Sequence, residues 1–277
     1  MEKLPYLLVA EKSLLKIIRQ TVMSLEKHAN PAGIYVVVPA GQRDAFREVL
    51  ADRVQVVVEE DVLPNWPLSR VKSMLPKQPR RAGWYLQQFL KLGFGQYAHV
   101  PRYVIWDADT VMLRPPVLEK DGKVVMNTAK EYHQPYFDTF RRLLGVAPVL
   151  PRSMISQYMR IDSAVCLQMQ QEISARGQGD GWIEVLLRGL PGTSISEFSE
   201  YETYANYLAH INPAGIELQT SKWFRYGSEI FPDQESVSLE QIEKRFAGYG
   251  YVAFERHDCN VVKRIFANVF VFFSLGT

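Results

Sequence analysis

Two aspartates one residue apart, Asp107 and Asp109, directly follow the apolar run Tyr103-Val104-Ile105-Trp106. Carboxylates at this spacing can share one hard divalent cation, Mn2+ or Mg2+, that takes its remaining oxygens from a diphosphate. Elsewhere in a chain such a pair reads as a turn cap beside a solvated acid. At the carboxyl end of a buried strand, where ligands bind in open α/β sheets, it reads as a site.

Upstream, Arg81 and Lys91 flank a helical stretch that leads into this strand. Either cation could pair with diphosphate oxygens, although a solitary Arg or Lys on a helix is ordinarily solvated. Trp84, between them, could border a nucleotide base, whereas in an apolar helix an indole more often packs in the core. Further on, Glu200 and Glu202 stand at a helix start signalled by Ser196 and Ser199. A carboxylate there can take the proton of a hydroxyl, or simply favour the positive end of the helix dipole.

The elements that must hold these groups show as alternation. Short apolar runs (Leu7 to Val9, Ile34 to Val38, Val54 to Val58, Tyr103 to Trp106) interleave with helical patterns (Leu14 to Leu25, Asp44 to Leu50, Gly83 to about Phe94). Continuous apolar strands separated by helices indicate a parallel sheet covered on both faces. The proline-rich, charged stretch from Asp61 to Arg80 is expected to be a loop. After Pro115-Pro116 comes a strand, Lys123 to Asn127, and then mainly helical patterns over Tyr136 to Leu144, Trp182 to Leu187 and Tyr201 to His210.

The 277 residues are 47% hydrophobic and 22% charged, and this excludes disordered or low-complexity character. A net charge of +2 offers no concentrated basic face, so no nucleic-acid partner is expected. Cys166 and Cys259 supply no CxxC metal spacing, and a reducing, cytoplasmic compartment is expected. Leu4 to Ala10 lacks the cleavage site of a secretory signal. The phenylalanine-rich run Ile265 to Leu275 is shorter than the ~20 residues of a spanning helix. Following Lys263-Arg264, it suits peripheral membrane contact through the C-terminal segment, or a terminal element packed on the core.

Other motifs fall away. Gly93-Phe94-Gly95-Gln96-Tyr97-Ala98 matches the dinucleotide pattern GxGxx[GA], but it follows a helix and precedes a strand, the reverse of the required order. Its glycines are expected to cap the helix C-terminus. P-loop, HExxH and GxSxG signatures are missing from the sequence. Trp223-Phe224-Arg225-Tyr226 is an aromatic cluster of the type that stacks on sugar rings.

Two enzyme classes place an acidic pair at a strand end. Asp107-Ala108-Asp109-Thr110-Val111 matches the DxDx[TV] of haloacid-dehalogenase-type phosphatases, with one aspartate as nucleophile and the other as acid/base. Those chains open with the motif, whereas a long α/β stretch precedes it here, and Gly179-Asp180-Gly181 does not complete their later acidic site. The order of elements fits the second class better. Gly83-Trp84-Tyr85-Leu86-Gln87-Gln88-Phe89-Leu90-Lys91-Leu92, the strand ending Trp106-Asp107-Ala108-Asp109-Thr110-Val111-Met112-Leu113-Arg114-Pro115, Ser199-Glu200-Tyr201-Glu202-Thr203-Tyr204 and Phe254-Glu255-Arg256-His257-Asp258 together resemble a family of bacterial GT-A-type glycosyltransferases.

That resemblance implies an α/β, GT-A-type Rossmann-like fold with a mixed central sheet and a more helical second half. It implies one domain over 1–277, with a nucleotide-sugar-binding half (1–115), an acceptor-side half (116–255) and a C-terminal segment (256–277). The implied activity is metal-dependent transfer of a sugar from a nucleotide-diphospho-sugar, a UDP-sugar first, to a saccharide or lipid-linked saccharide in bacterial surface glycan biosynthesis. Asp107 and Asp109 would hold Mn2+ or Mg2+ with His257 completing the shell, and Arg81, Trp84 and Lys91 would border the nucleotide. One of Glu200 and Glu202 would be the base. The phosphatase and a catalytically inactive sugar-nucleotide-binding protein remain as alternatives.

Overall fold

A computed structural model describes residues 2–177 and 181–255. The chain runs β1 (Pro5–Val9), α1 (Leu15–Ala29), β2 (Gly33–Val38), α2 (Arg43–Leu50), β3 (Gln55–Val58), α3 (Glu59–Val62), α4 (Leu68–Ser73), α5 (Ala82–Ala98), β4 (Arg102–Trp106) and β5 (Thr110–Met112). It continues through β6 (Glu119–Lys120), β7 (Lys123–Asn127), α6 (Gln134–Leu144), β8 (Tyr158–Asp162), α7 (Ser163–Ala175), α8 (Gly181–Gly189) and α9 (Glu200–Ile211). Last come β9 (Ile216–Gln219), β10 (Trp223–Phe224), α10 (Gly227–Ile230), α11 (Leu239–Arg245) and β11 (Tyr251–Ala253). Among the described residues these elements form two compact units, the first within 2–12, 31–108 and 117–221, the second within 13–30, 109–116 and 222–255.

The first unit is built on a five-stranded sheet of order β3-β2-β1-β4-β8. β3, β2, β1 and β4 are parallel, as their apolar runs and helical crossovers require. β8 pairs antiparallel with β4, from Arg102 opposite Asp162 to Trp106 opposite Tyr158, and makes the central sheet mixed. The mixed α/β class expected from the sequence is therefore the observed one. A smaller sheet of order β6-β7-β9 belongs to the same unit.

The centre of this unit's core is α5. Tyr85, Phe89, Leu90 and Phe94 on it have no exposed surface, and burial extends around most of the helix. Each such side chain contributes roughly 1.5–3 kcal/mol. Gly93 and Gly95 lie inside α5, which contradicts the expected C-cap; the left-handed cap is His99, at φ 50°. The glycines instead permit close approach. A Cβ on Gly93 would stand 2.9 Å from Leu63 Cδ2, and one on Gly95 would stand 2.9 Å from Tyr103 Cε1 and run into Ser163. The expected loop from Asp61 to Arg80 is also corrected, because it contains α4 and the end of α3. Two of its prolines start helical turns: Pro67 caps α4, and Pro79 opens a 3-10 turn before α5.

The second unit holds a three-stranded sheet of order β10-β11-β5 and the amphipathic helix α1. Ile17 of α1 shares a core with Val111, Ile242, Val252 and Phe254. Ser24 Oγ accepts a 2.9 Å hydrogen bond from the Met112 amide, tying α1 to β5. Among the described residues, no helix is long and apolar enough to cross a membrane.

Candidate active site

β4 is buried from Tyr103 to Trp106 and delivers Asp107 at its carboxyl end. There the Asp107 amide donates to the Gln157 carbonyl at 2.8 Å. The Asp107 carboxylate accepts through one oxygen, Oδ1, from Lys91 Nζ at 2.6 Å and from the Tyr201 hydroxyl at 2.8 Å. Lys91 Nζ also donates to Glu200 Oε1 at 2.6 Å, and it lies 4.8 Å from the centre of the Tyr201 ring. Side-chain exposure is 3% for Lys91, 6% for Glu200 and 19% for Asp107, so an ammonium joins two carboxylates out of bulk water.

Lys91 is thus not the solvated helix cation that its solitary position suggests. It is the one charged residue in α5, and a lysine in a helix buried nearly all round must find counter-ions. Burial acts to lower its pKa, but the charges and hydrogen bonds of Asp107 and Glu200 outweigh it and hold the ammonium above the ordinary lysine value. Tyr201, which sequence reasoning passed over, completes the grip on Asp107 from the turn that carries Glu200.

Arg81, Trp84, Gln88 and Lys91 recur at three- and four-residue spacing and form one stripe along α5. That stripe positions the segment leading to Glu200. Arg81 donates to the Ile195 carbonyl at 3.0 Å and to Ser196 Oγ at 2.7 Å, and Gln88 Oε1 accepts from the Glu200 amide at 3.0 Å. Trp84 lies under the Arg81 guanidinium, 4.2 Å from its ring centre, and against Tyr85 and Tyr136. Glu197, also missed, gathers the loop before α9 by accepting from the amides of Gly192, Thr193 and Ser194 at 2.7–3.0 Å. Burial works to raise its pKa, and these hydrogen bonds prevail and lower it.

The two candidate bases separate. Glu200 joins Asp107 and Lys91; its pKa is raised, first by burial, against the opposing pull of Lys91. Glu202 instead accepts from Ser153 Oγ at 2.6 Å and the Met154 amide at 3.1 Å, and its buried Oε2 finds no hydrogen-bond partner among the described residues. Burial dominates there and raises its pKa from 4.5 to about 7. A carboxyl with a raised folded-state pKa stabilises the fold below its unfolded value and loses that contribution as pH rises through the folded one. Glu202 should therefore withdraw roughly 3 kcal/mol at most between pH 4.5 and about 7. Denaturant titrations across this range should show that fall in the parent protein and a flatter profile in Glu202→Gln.

Asp109 lies in the turn directly before the second unit's β5 and is half-buried; its carbonyl accepts from the Phe254 amide at 2.8 Å. His257 and the C-terminal run Ile265 to Leu275 lie outside the described residues. Among the described residues, no three His, Cys, Asp or Glu side chains are grouped as a metal shell. Asp107 nevertheless offers the hard oxygen donors that Mn2+ or Mg2+ prefers, and its Oδ1 already holds a cation, the Lys91 ammonium. Trp223 stacks on Tyr251 with ring centres 5.3 Å apart, Phe224 packs with the second unit's core, and Arg225 Nε forms a forked pair with Glu255 at 2.8 and 2.9 Å. These residues have structural partners of their own.

The model of the Family of unknown function (DUF6492) matches residues 15–235. Among curated proteins, none matches the chain. Several solved structures are similar to it. One is the galactosyltransferase LgtC in complex with donor and acceptor sugar analogs, at 12% identity and TM-score 0.44, over 99% of this chain and 97% of that one. Another is mouse xyloside xylosyltransferase 1 in its apo form, at 13% identity and TM-score 0.46, over 94% and 99%. A third is the apo bifunctional glycosyltransferase WbbM, at 9% identity and TM-score 0.48, over 92% of this chain and 46% of that one.

Proposed function

The chain belongs to the DUF6492 family of unknown function, and we propose from its own residues that it is a glycosyltransferase. In this reading it moves a sugar from a nucleotide-diphospho-sugar, a UDP-sugar first, to a saccharide or lipid-linked saccharide acceptor. The observation that carries the proposal is the buried cluster in which Lys91 joins Asp107, at the carboxyl end of β4, to Glu200, at the start of α9. Side chains from a strand and two helices converge there at the sheet edge where α/β proteins bind ligands. Each is fixed by further hydrogen bonds, as a pre-organised site requires.

Asp107, Asp109 and His257 are the residues that would hold Mn2+ or Mg2+, which neutralises charge on a departing nucleoside diphosphate. Lys91 and Tyr201 keep one oxygen of Asp107 fixed. Glu200, its pKa raised by burial, takes the proton of the acceptor hydroxyl as that oxygen attacks the anomeric carbon. Arg81 holds the neighbouring 195–196 segment, and in this reading it borders the donor together with Trp84. Acceptors of this class suit surface glycan assembly at the cytoplasmic membrane face, with the 256–277 segment in peripheral contact.

Calorimetric titration with nucleoside diphosphates should give measurable binding with Mn2+ and little in chelator. Equal affinity in both would remove the metal-bridged reading, and a trapped aspartyl-phosphate would replace the transferase with a phosphatase. Glu200→Gln should lower kcat by about 10²–10⁴-fold while donor affinity stays within about twofold, since a base acts on the transition state. Glu202→Gln should leave kcat near the parent value. Near-normal turnover in Glu200→Gln would reduce Glu200 to a counter-ion of Lys91.

A further inference from the structure

Two residues beyond Glu200 in the first turn of α9, Glu202 bonds to the connection 153–157 that leads into β8. Its Oε1 accepts from Ser153 Oγ and from the Met154 amide at one end of that connection. The Ser153 hydroxyl in turn accepts from the Ile155 amide at 3.1 Å, and the Ser153 carbonyl accepts from the Ala129 amide at 2.8 Å. At the other end, the Gln157 carbonyl accepts from the Asp107 amide, one step past the pair of Trp106 with Tyr158 that ends the β4 and β8 ladder.

The path closes on itself. From α9 it runs through Glu202 to Ser153 and Met154, along the chain to Gln157, across to the Asp107 amide, and back through Asp107 Oδ1 and Lys91 to Glu200 on the same turn of α9. Gln157 is the strained link: it is buried at φ 71°, a left-handed backbone that disfavours any residue with a side chain. Such a conformation persists only where its surroundings over-determine it, and it concentrates at functional sites. The anchor is costly as well. Glu202 is 1% exposed, and burial drives its carboxyl toward the neutral form, whereas serine or main-chain groups can close a loop without that penalty.

We propose that Glu202 is a positioning residue of the transfer site: by anchoring 153–157 it fixes the backbone of Asp107 relative to Glu200 and so sets the separation of their two carboxyls. This role rests on the transferase reading, and it gives the second glutamate a part without making it a base. Only its oxygen acceptor is used, and a glutamine supplies the same acceptor. Misplacing a reacting group by about 1 Å costs roughly a hundredfold in rate, so loss of the anchor should reach turnover although Glu202 touches neither Asp107 nor Lys91 in this circuit.

The test compares Glu202→Leu, which removes the acceptor, with Glu202→Gln, which keeps it, and with Ile173→Ala, a buried variant on α7 that controls for lost stability. Two quantities are read: kcat, and hydrogen exchange at the Asp107 amide relative to the Ile105 amide of the same strand, followed by NMR without substrate. Glu202→Leu should lower kcat by about 10- to 100-fold with donor affinity within about threefold, and should raise the exchange ratio about tenfold or more. Glu202→Gln and Ile173→Ala should match the parent in both, because global destabilisation moves the two amides together. Should Glu202→Leu fail to fold, Ser153→Ala carries the same expectation. A parent-like ratio or parent-like kcat in the folded anchor variants, or a loss in Glu202→Gln or Ile173→Ala as large as in Glu202→Leu, would overturn the proposal. The exchange ratio needs no substrate and so separates the two readings: absence of transfer in the parent protein removes the transferase, and an unmoved ratio removes the positioning role.

Discussion

Replacing Lys91 by methionine is expected to lower stability by about 3–5 kcal/mol and to abolish sugar transfer. Methionine approximates the volume of the lysine stem, so the packing of α5 is largely kept. What disappears is the ammonium 2.6 Å from both Asp107 Oδ1 and Glu200 Oε1. Glu200, at 6% exposure, is then a buried carboxylate without its counter-ion and must bind a proton to remain inside. Its folded-state pKa, already raised, rises further. The variant should therefore be closest to the parent at about pH 5 and lose most stability at about pH 8, the sense required when the folded state holds a proton that the unfolded chain has released. Denaturant midpoints at the two pH values measure this. Adding Glu200→Gln should restore much of the stability without restoring transfer, and a Lys91→Met protein with parent midpoints at both pH values would show the ammonium to be dispensable.

The sequence made the strand before Asp107 and the helix beginning at Glu200 visible because each combines a plain period with a recognisable boundary. Tyr103 to Trp106 is an uninterrupted apolar run, and Ser199 is an N-cap whose hydroxyl accepts from the Glu202 amide. The connection between them was hidden. Lys91 lies far from Glu200 in the chain, and nothing in a helical period says which cation is buried. The clue lay in composition, since no other charge occurs from Ala82 to Ala98. β8 escaped notice for a related reason. Arg160 interrupts an otherwise apolar-aromatic run, yet it is only 8% exposed and its guanidinium reaches Glu119 at 2.9 Å. Gly93 and Gly95 misled in the opposite direction, because a glycine demanded by a neighbouring side chain looks the same in sequence as one demanded by a positive φ.

The neighbouring aspartates should separate on mutation. Asp107→Asn removes charge from a carboxylate that accepts from Lys91 and Tyr201, so it should cost stability as well as transfer. Asp109→Asn is expected to leave the ligand-free melting temperature within about 2 °C of the parent and to lower transfer at least about a hundredfold. Asparagine retains the backbone carbonyl that accepts from Phe254 and the side-chain oxygen that faces Thr110 Oγ1 at 3.4 Å. It loses the negative charge that a hard cation demands. The stabilisation conferred by nucleoside diphosphate together with Mn2+ should disappear too, because a ligand that no longer binds the folded chain no longer shifts its melting. Melting curves with and without ligand, run beside the transfer assay, keep folding and chemistry apart. An Asp109→Asn protein that melts normally and still transfers sugar would leave the second carboxylate without a part in the reaction, and one that unfolds would make Asp109 a structural residue of the turn before β5.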